Sequence, residues 1–319
     1  MKKLFSLFVL LLILLAAGCK SVKTDETPGK GEGAQTPLTT TLKKYPGTML
    51  WEIDGFDKEG QPSTVYLLGT YHAGDDRIYP FPECVQTAID NADRFVCELS
   101  KKDWNDMPQL MNDLTMKGFL TDLSHTFIDD LSQDEIMLIS AFIDQQTLAQ
   151  LVCFEPWVLN NYLQQVLILA SGLDTSKAYD VMIMSDIEKK HMDFEGLDAA
   201  QTQLDLIAYG DWNTQLIMLR DTLKDLENLN ASAKDMLDLY EVFLAGDEQA
   251  FEEAYYKDLD EELKLYPVYD SYIKALLNDR NEAWAEKIKD YLAQGGTTFV
   301  FAGCAHFTGP NSVFTYLNF

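Results

Sequence analysis

The chain contains four histidines, and two of them end the same device. Gly69-Thr70-Tyr71-His72 and Gly303-Cys304-Ala305-His306 each follow an apolar run, so each reads as a strand, a glycine, two residues and an imidazole. Glu98 ends a third such run, Arg94-Phe95-Val96-Cys97. In a parallel sheet the residues just past the carboxyl ends of the strands line one edge, where α/β proteins place ligands. Two imidazoles and a carboxylate converging there suit a divalent metal ion with open coordination positions. Each histidine also reads as a polar residue satisfied at a strand end, because a lone G-x-x-H is common. His125 and His191 stand in the polar stretches Leu-Ser-His-Thr and Lys-Lys-His-Met and read as surface residues. No H-E-x-x-H, G-x-S-x-G or Walker loop occurs, which removes three familiar hydrolase and nucleotide signatures.

The elements that would carry these residues are legible from periodicity. Residues 49–53 and 64–68 are β-rich runs separated by Asp54-Gly55 and Glu59-Gly60, a hairpin pattern. A helix over residues 84–92 leads into the strand before Glu98, giving a strand–helix–strand unit. Ser132-Gln133-Asp134-Glu135 has the capping-box pattern ahead of Ile136 and Ile139, so a helix starts there. Leu216, Leu219, Leu223 and Leu226 step by three and four, as do Leu237, Tyr240 and Leu244 before Gly246-Asp247. These are packing faces. Helices run to about residue 292, Gly295-Gly296 ends them, and residues 297–302 form the clearest buried strand. The expected fold class is α/β, a mixed central sheet with flanking helices and a large helical insertion, about residues 100–292, between early and late strands.

Composition bounds the rest. The 319 residues are 47% hydrophobic and 24% charged, proportions that bury a core without metal or disulfide staples. With 51 acidic against 25 basic residues the formal charge is −26, which repels phosphate backbones and makes nucleic acid a poor partner. Lys2 and Lys3 precede an apolar run over residues 4–18. That run is a secretory signal, shorter than the ~20 residues of a spanning helix. Ala16-Ala17-Gly18-Cys19 resembles a bacterial lipobox, so residues 1–18 are expected to be removed and Cys19 lipidated, anchoring a domain outside the cytoplasm to a membrane. Residues 19–44 read as a flexible tether and residues 45–319 as the folded domain. Cys84, Cys97, Cys153 and Cys304 include no C-x-x-C pair, and free core thiols are as well supported as a disulfide.

Over residues 50–317 the chain resembles the TraB/GumN family, related to the animal Tiki proteins. The matching segments are Trp51, then Val65 through the first G-x-x-H at His72, Ala92-Asp93, Val96 to Glu98, and Pro156-Trp157. Gly246-Asp247, Arg280-Asn281, and the second G-x-x-H with Gly309-Pro310 behind it complete them. Gly196-Leu197-Asp198 with Gln203 resembles a G-L-E…Q segment, with Asp198 standing where glutamate is usual. The resemblance implies an α/β core holding a metal-dependent hydrolase site. It also implies a divalent ion such as Mn, Co or Zn, and a peptide or protein substrate. His72, His306 and Glu98 are the metal candidates, and Glu98, Arg280 and Asn281 the catalytic ones. Three classes stay open: a metallopeptidase, a peptide- or pheromone-binding lipoprotein without chemistry, and a member of the wider superfamily acting on small molecules or haem iron.

Arg280 shares a helix face with Trp284 and Ile288, an inward-facing stripe. A guanidinium there needs an anion, either a buried carboxylate or a substrate oxyanion. The expected mechanism has His72 and His306 binding one ion as neutral imidazoles, with Glu98 as third ligand or general base. Cys304 is the competing nucleophile, ranked lower because the first G-x-x-H has no cysteine.

Overall fold

The computed structural model describes residues 40–257 and 259–319. The signal segment, Cys19 and nearly all of the expected tether lie outside them. A six-stranded sheet runs in the order β1-β2-β3-β6-β4-β5. The strands are β1 (Thr41–Tyr45), β2 (Leu50–Phe56), β3 (Pro62–Thr70), β4 (Arg94–Cys97), β5 (Phe194–Gly196) and β6 (Gly296–Gly303). β2 and β3 form the expected hairpin, antiparallel from Leu50 opposite Leu68 to Phe56 opposite Pro62. Asp57 closes its turn by accepting from the Glu59 and Gln61 backbone N–H groups at 2.9 and 2.7 Å. β1 pairs antiparallel with β2, so the last four residues of the expected tether, 41–44, lie in an edge strand.

β3, β6, β4 and β5 are mutually parallel. Leu67, Val300 and Val96 share one register row, and all three are fully buried. Burying such a side chain is worth roughly 1.5–3 kcal/mol, and Phe95, Phe299 and Phe301, their neighbours along the strands, are buried on the opposite face. Parallel strands buried on both faces carry continuous apolar runs, which makes β6 the clearest strand in the sequence.

Helices cover the sheet, with a long helical stretch between β5 and β6. The helical region expected over about residues 100–292 is interrupted by β5. The Ser132 capping box is formed reciprocally with Glu135. The two leucine stripes lie on the helices Trp212–Glu227 and Leu229–Ala245 and are mostly buried. From residue 268 to 294 one helical run crosses a π turn, Lys274–Asn278, before continuing as Asp279–Gln294. Arg280, Trp284 and Ile288 all face inward from it. No helix among the described residues is long and apolar enough to cross a membrane.

Candidate active site at the carboxyl edge of the sheet

Because four strands run the same way, their carboxyl ends share one edge. β3 delivers His72, β6 delivers His306, β4 delivers Glu98 and β5 delivers Asp198. The two G-x-x-H arms pack against each other. A Cβ on Gly69 would stand 3.0 Å from Cys304 Sγ and 3.1 Å from its Cα, so any larger residue would push the two arms apart. Gly196 serves the same purpose beside β4, where a Cβ would meet the Ser100 backbone nitrogen at 2.6 Å.

Arg280 organises one half of the site. Its Nε donates to Asp198 Oδ2 at 2.8 Å, and Nη2 reaches the same oxygen at 2.7 Å and Glu98 Oε2 at 2.6 Å. Nη1 donates to the Leu276 carbonyl at 3.0 Å and to His306 Nε2 at 3.1 Å. Of the five N–H groups of a guanidinium, four make hydrogen bonds here, and the Nη2 contact to Asp198 is an ion pair. Asn281 Nδ2 donates to the Asn311 carbonyl at 2.7 Å, which turns its Oδ1 to accept from His306 Nδ1 at 2.6 Å. Trp284 Nε1 donates to Asp198 Oδ1 at 2.7 Å. His306 is therefore the Nδ1–H tautomer with its Nε2 lone pair taken. Burial, then the Arg280 charge, hold its pKa well below the ordinary value.

Glu98 joins the two halves. Besides Arg280, it accepts from the Gly303 backbone N–H at 2.8 Å and from Gln203 Nε2 at 3.3 Å. Burial favours its neutral form, but Arg280, His306 and His72 outweigh that and bring its pKa to about 2. So strongly held a carboxylate is a poor general base near neutrality.

His72 belongs to the other half. Its Nδ1 meets Asp180 Oδ2 at 2.8 Å, while its Nε2 is buried, has no hydrogen-bond partner and lies 3.7 Å from Glu98 Oε1. Burial disfavours its charged form, yet the Asp180 carboxylate prevails and its pKa is raised. Asp180 sits in the first turn of the helix Tyr179–Lys189. Sequence reasoning missed it because an aspartate at that position reads as an ordinary helix-start charge.

Three of the expected residues, His72, Glu98 and His306, thus do meet at one edge, together with Arg280 and Asn281. Over residues 49–318 the chain matches the model of the TraB/PrgY/gumN family. The chain belongs to that family. A relative in Treponema pallidum (strain Nichols), itself described as an uncharacterized protein, is 27% identical over 319 residues, covering 97% of this chain and 88% of the relative. No solved structure matches. In this TraB/PrgY/gumN protein the other two histidines lie where the sequence suggests: His125 and His191 are exposed, with His125 bonded to Asp130 at 2.9 Å. Cys84, Cys97, Cys153 and Cys304 are free thiols. Burial raises the Cys304 pKa, so it carries no thiolate for attack.

The fit of a divalent ion divides along the same line. His72 Nε2 and Glu98 Oε1 are two donors facing each other across a gap too long for a hydrogen bond. Metal bonds of ~2.1 Å meeting at a tetrahedral angle span ~3.4 Å, close to that gap. Asp180 on the far nitrogen of His72 is the outer partner that metal-bound imidazoles usually have. Arg280 contacts two of the three carboxylates in the cluster, Glu98 and Asp198, while Asp180 pairs with His72, an anionic excess that a cation would relieve. His306 does not point its lone pair at this gap. Among the described residues no three of His, Cys, Asp and Glu form a group able to hold a metal ion.

Proposed function

We propose that the protein is a hydrolase of peptide bonds, working outside the cytoplasm from a lipid anchor at Cys19, with its reacting centre between His72 Nε2 and Glu98 Oε1. The observation that carries this reading is the unpartnered, buried His72 Nε2. Natural proteins leave few such atoms without a partner, and the exceptions call for an explanation. A divalent ion of the Mn, Co or Zn class held by His72 and Glu98 would supply Lewis acidity toward a carbonyl and toward water.

The chain's own residues have separable tasks. Asp180 holds the His72 Nδ1 proton and so aims the Nε2 lone pair. Arg280 and the Gly303 N–H keep Glu98 anionic and fixed. Asn281 and Arg280 hold His306 neutral. Arg280 spends four of its five N–H groups on Asp198, Glu98, Leu276 and His306, so we assign Arg280, Asn281 and His306 as positioning residues.

A metal-free variant has its own support, since the Asp180-raised basicity of His72 suits a general base for water. The deciding experiment uses the purified full chain, treated with chelator and then reloaded with Mn, Co or Zn, on a mixture of oligopeptides. Cleavage lost with the metal and restored by one of the three supports the metal form. Cleavage indifferent to chelator selects the His72 general base. No cleavage under any condition overturns the hydrolase reading and leaves a binding protein.

A further inference from the structure

Beyond the polar cluster, a cleft of ≈ 450 Å³ opens against its outer wall. Asp198 and Arg280 form its floor, while Leu197, Leu206, Tyr209 and Ala275 supply apolar sides. We propose that this cleft is the substrate subsite for a bulky apolar side chain with a cationic residue beside it, a proposal that rests on the peptide-hydrolase reading above.

Four features support that occupant. The volume lies in the range of small-ligand sites and exceeds what one small side chain fills. It is kept open by short side chains on the helical run, since Ala275 and Ala283 flank it where larger residues would close it. Its floor offers little polar recognition, because four of the Arg280 N–H groups and both Asp198 oxygens are already engaged. Selection must then come from shape and apolar area, with Tyr209 fixed edge-on against buried Tyr272 at 4.9 Å. At the rim, Asp205 is exposed and accepts from the Gln201 amide at 2.6 Å, with no lysine or arginine paired to it among the described residues. Asp279, the other rim carboxylate, is already paired with Lys274. One unneutralised carboxylate beside an apolar slot fits a cation next to an apolar side chain.

The cleft also joins the proposed reacting centre by contact. Arg280 in its floor holds Glu98 Oε2, and the other oxygen of Glu98 faces His72 Nε2.

Two measurements test this apart from the hydrolase reading. The first is equilibrium binding of a fluorescein-labelled Gly-Gly-Phe-Arg-Gly-Gly peptide, against the same peptide with Ala-Glu at its centre, to the His72→Ala protein. The second is the cleavage profile of the wild type on a peptide library. Ala283→Trp and Thr202→Trp fill the cleft from opposite walls, and each is expected to weaken Phe-Arg peptide binding at least tenfold without shifting the melting temperature. Asp205→Lys is expected to remove the preference for Arg over Glu. If the labelled peptide binds and these variants abolish binding, the subsite stands even when nothing is cleaved, and only the hydrolase reading falls. Binding and cleavage profile both indifferent to Ala283→Trp and Thr202→Trp would overturn the subsite and leave the hydrolase reading intact. Absence of Phe-Arg peptide binding at millimolar concentration overturns it as well.

Discussion

The two halves of the site are built on opposite principles. Around Arg280 nearly every strong polar group is spoken for: four of the five guanidinium N–H groups, both nitrogens of His306, both oxygens of Asp198 and both ends of the Asn281 amide. Around His72 the accounting is open. Its Nε2 has no partner, nor has the hydroxyl of Thr70, two residues earlier and 1% exposed. A satisfied buried network rigidifies, while an unsatisfied buried atom calls for an explanation, such as a bound ion, a water or a part in chemistry. Proximity to a site therefore does not by itself confer a chemical role.

Substitutions should separate the halves. Arg280→Met strands Glu98 and Asp198 as buried unpaired charges, so thermal or urea unfolding should show a loss of about 3–5 kcal/mol. Arg280→Lys, which keeps the charge but not the fork, should recover part of that loss. His72→Ala should act chiefly on the chemistry, lowering peptide turnover about 10³-fold, while the loss of the partner of buried Asp180 costs about 1–3 kcal/mol of stability. His306→Ala isolates the difference between the two histidines. It leaves Asn281 Oδ1 and one Arg280 N–H unpaired, so it should cost about 2–3 kcal/mol of stability and reduce activity only through misplacement. Should His306→Ala strip bound metal as completely as His72→Ala, the division into two halves is wrong.

The halves should also answer to pH in opposite senses. Glu98 has a pKa of about 2, below its ordinary 4.5, so its contribution is full above about 4.5 and is lost as pH falls toward about 2. His72 has a raised pKa, so in metal-free protein its contribution is full below about 6.5 and fades as pH rises through the folded value. Unfolding curves of Glu98→Gln and His72→Ala against pH would show which limb each variant flattens. The smallest effect belongs to Cys304→Ala, which should keep metal content and turnover and cost about 1 kcal/mol or less in stability.

Much of this is legible in the sequence because the strands that carry the site are the buried ones. β3, β4 and β6 announce themselves as apolar runs, and the residues beyond them follow. β5 is three residues, Phe-Glu-Gly, with its glutamate exposed, and β1 is a half-polar edge strand; neither has the periodicity that a sequence can display. His72, Glu98, His306, Arg280 and Asn281 stand out by motif and helix face. What they do to one another does not, because hydrogen-bond saturation is a property of three-dimensional neighbours. Asp180, 108 positions from His72, and the Leu276 carbonyl carry no local signal at all.

The π turn at Lys274–Asn278 closes with the Asp279 N–H donating to the Lys274 carbonyl, one residue wider than an α turn. Each residue added to or removed from a helix rotates everything beyond it by about 100°. Deleting one residue here would regularise the helix and swing Tyr269, Tyr272 and Ile273 away from the core, or Arg280 away from its carboxylates. The length of this segment is therefore constrained more tightly than its composition: Lys274 is exposed and needs only a cation there for Asp279, but the number of residues between Tyr272 and Arg280 cannot change.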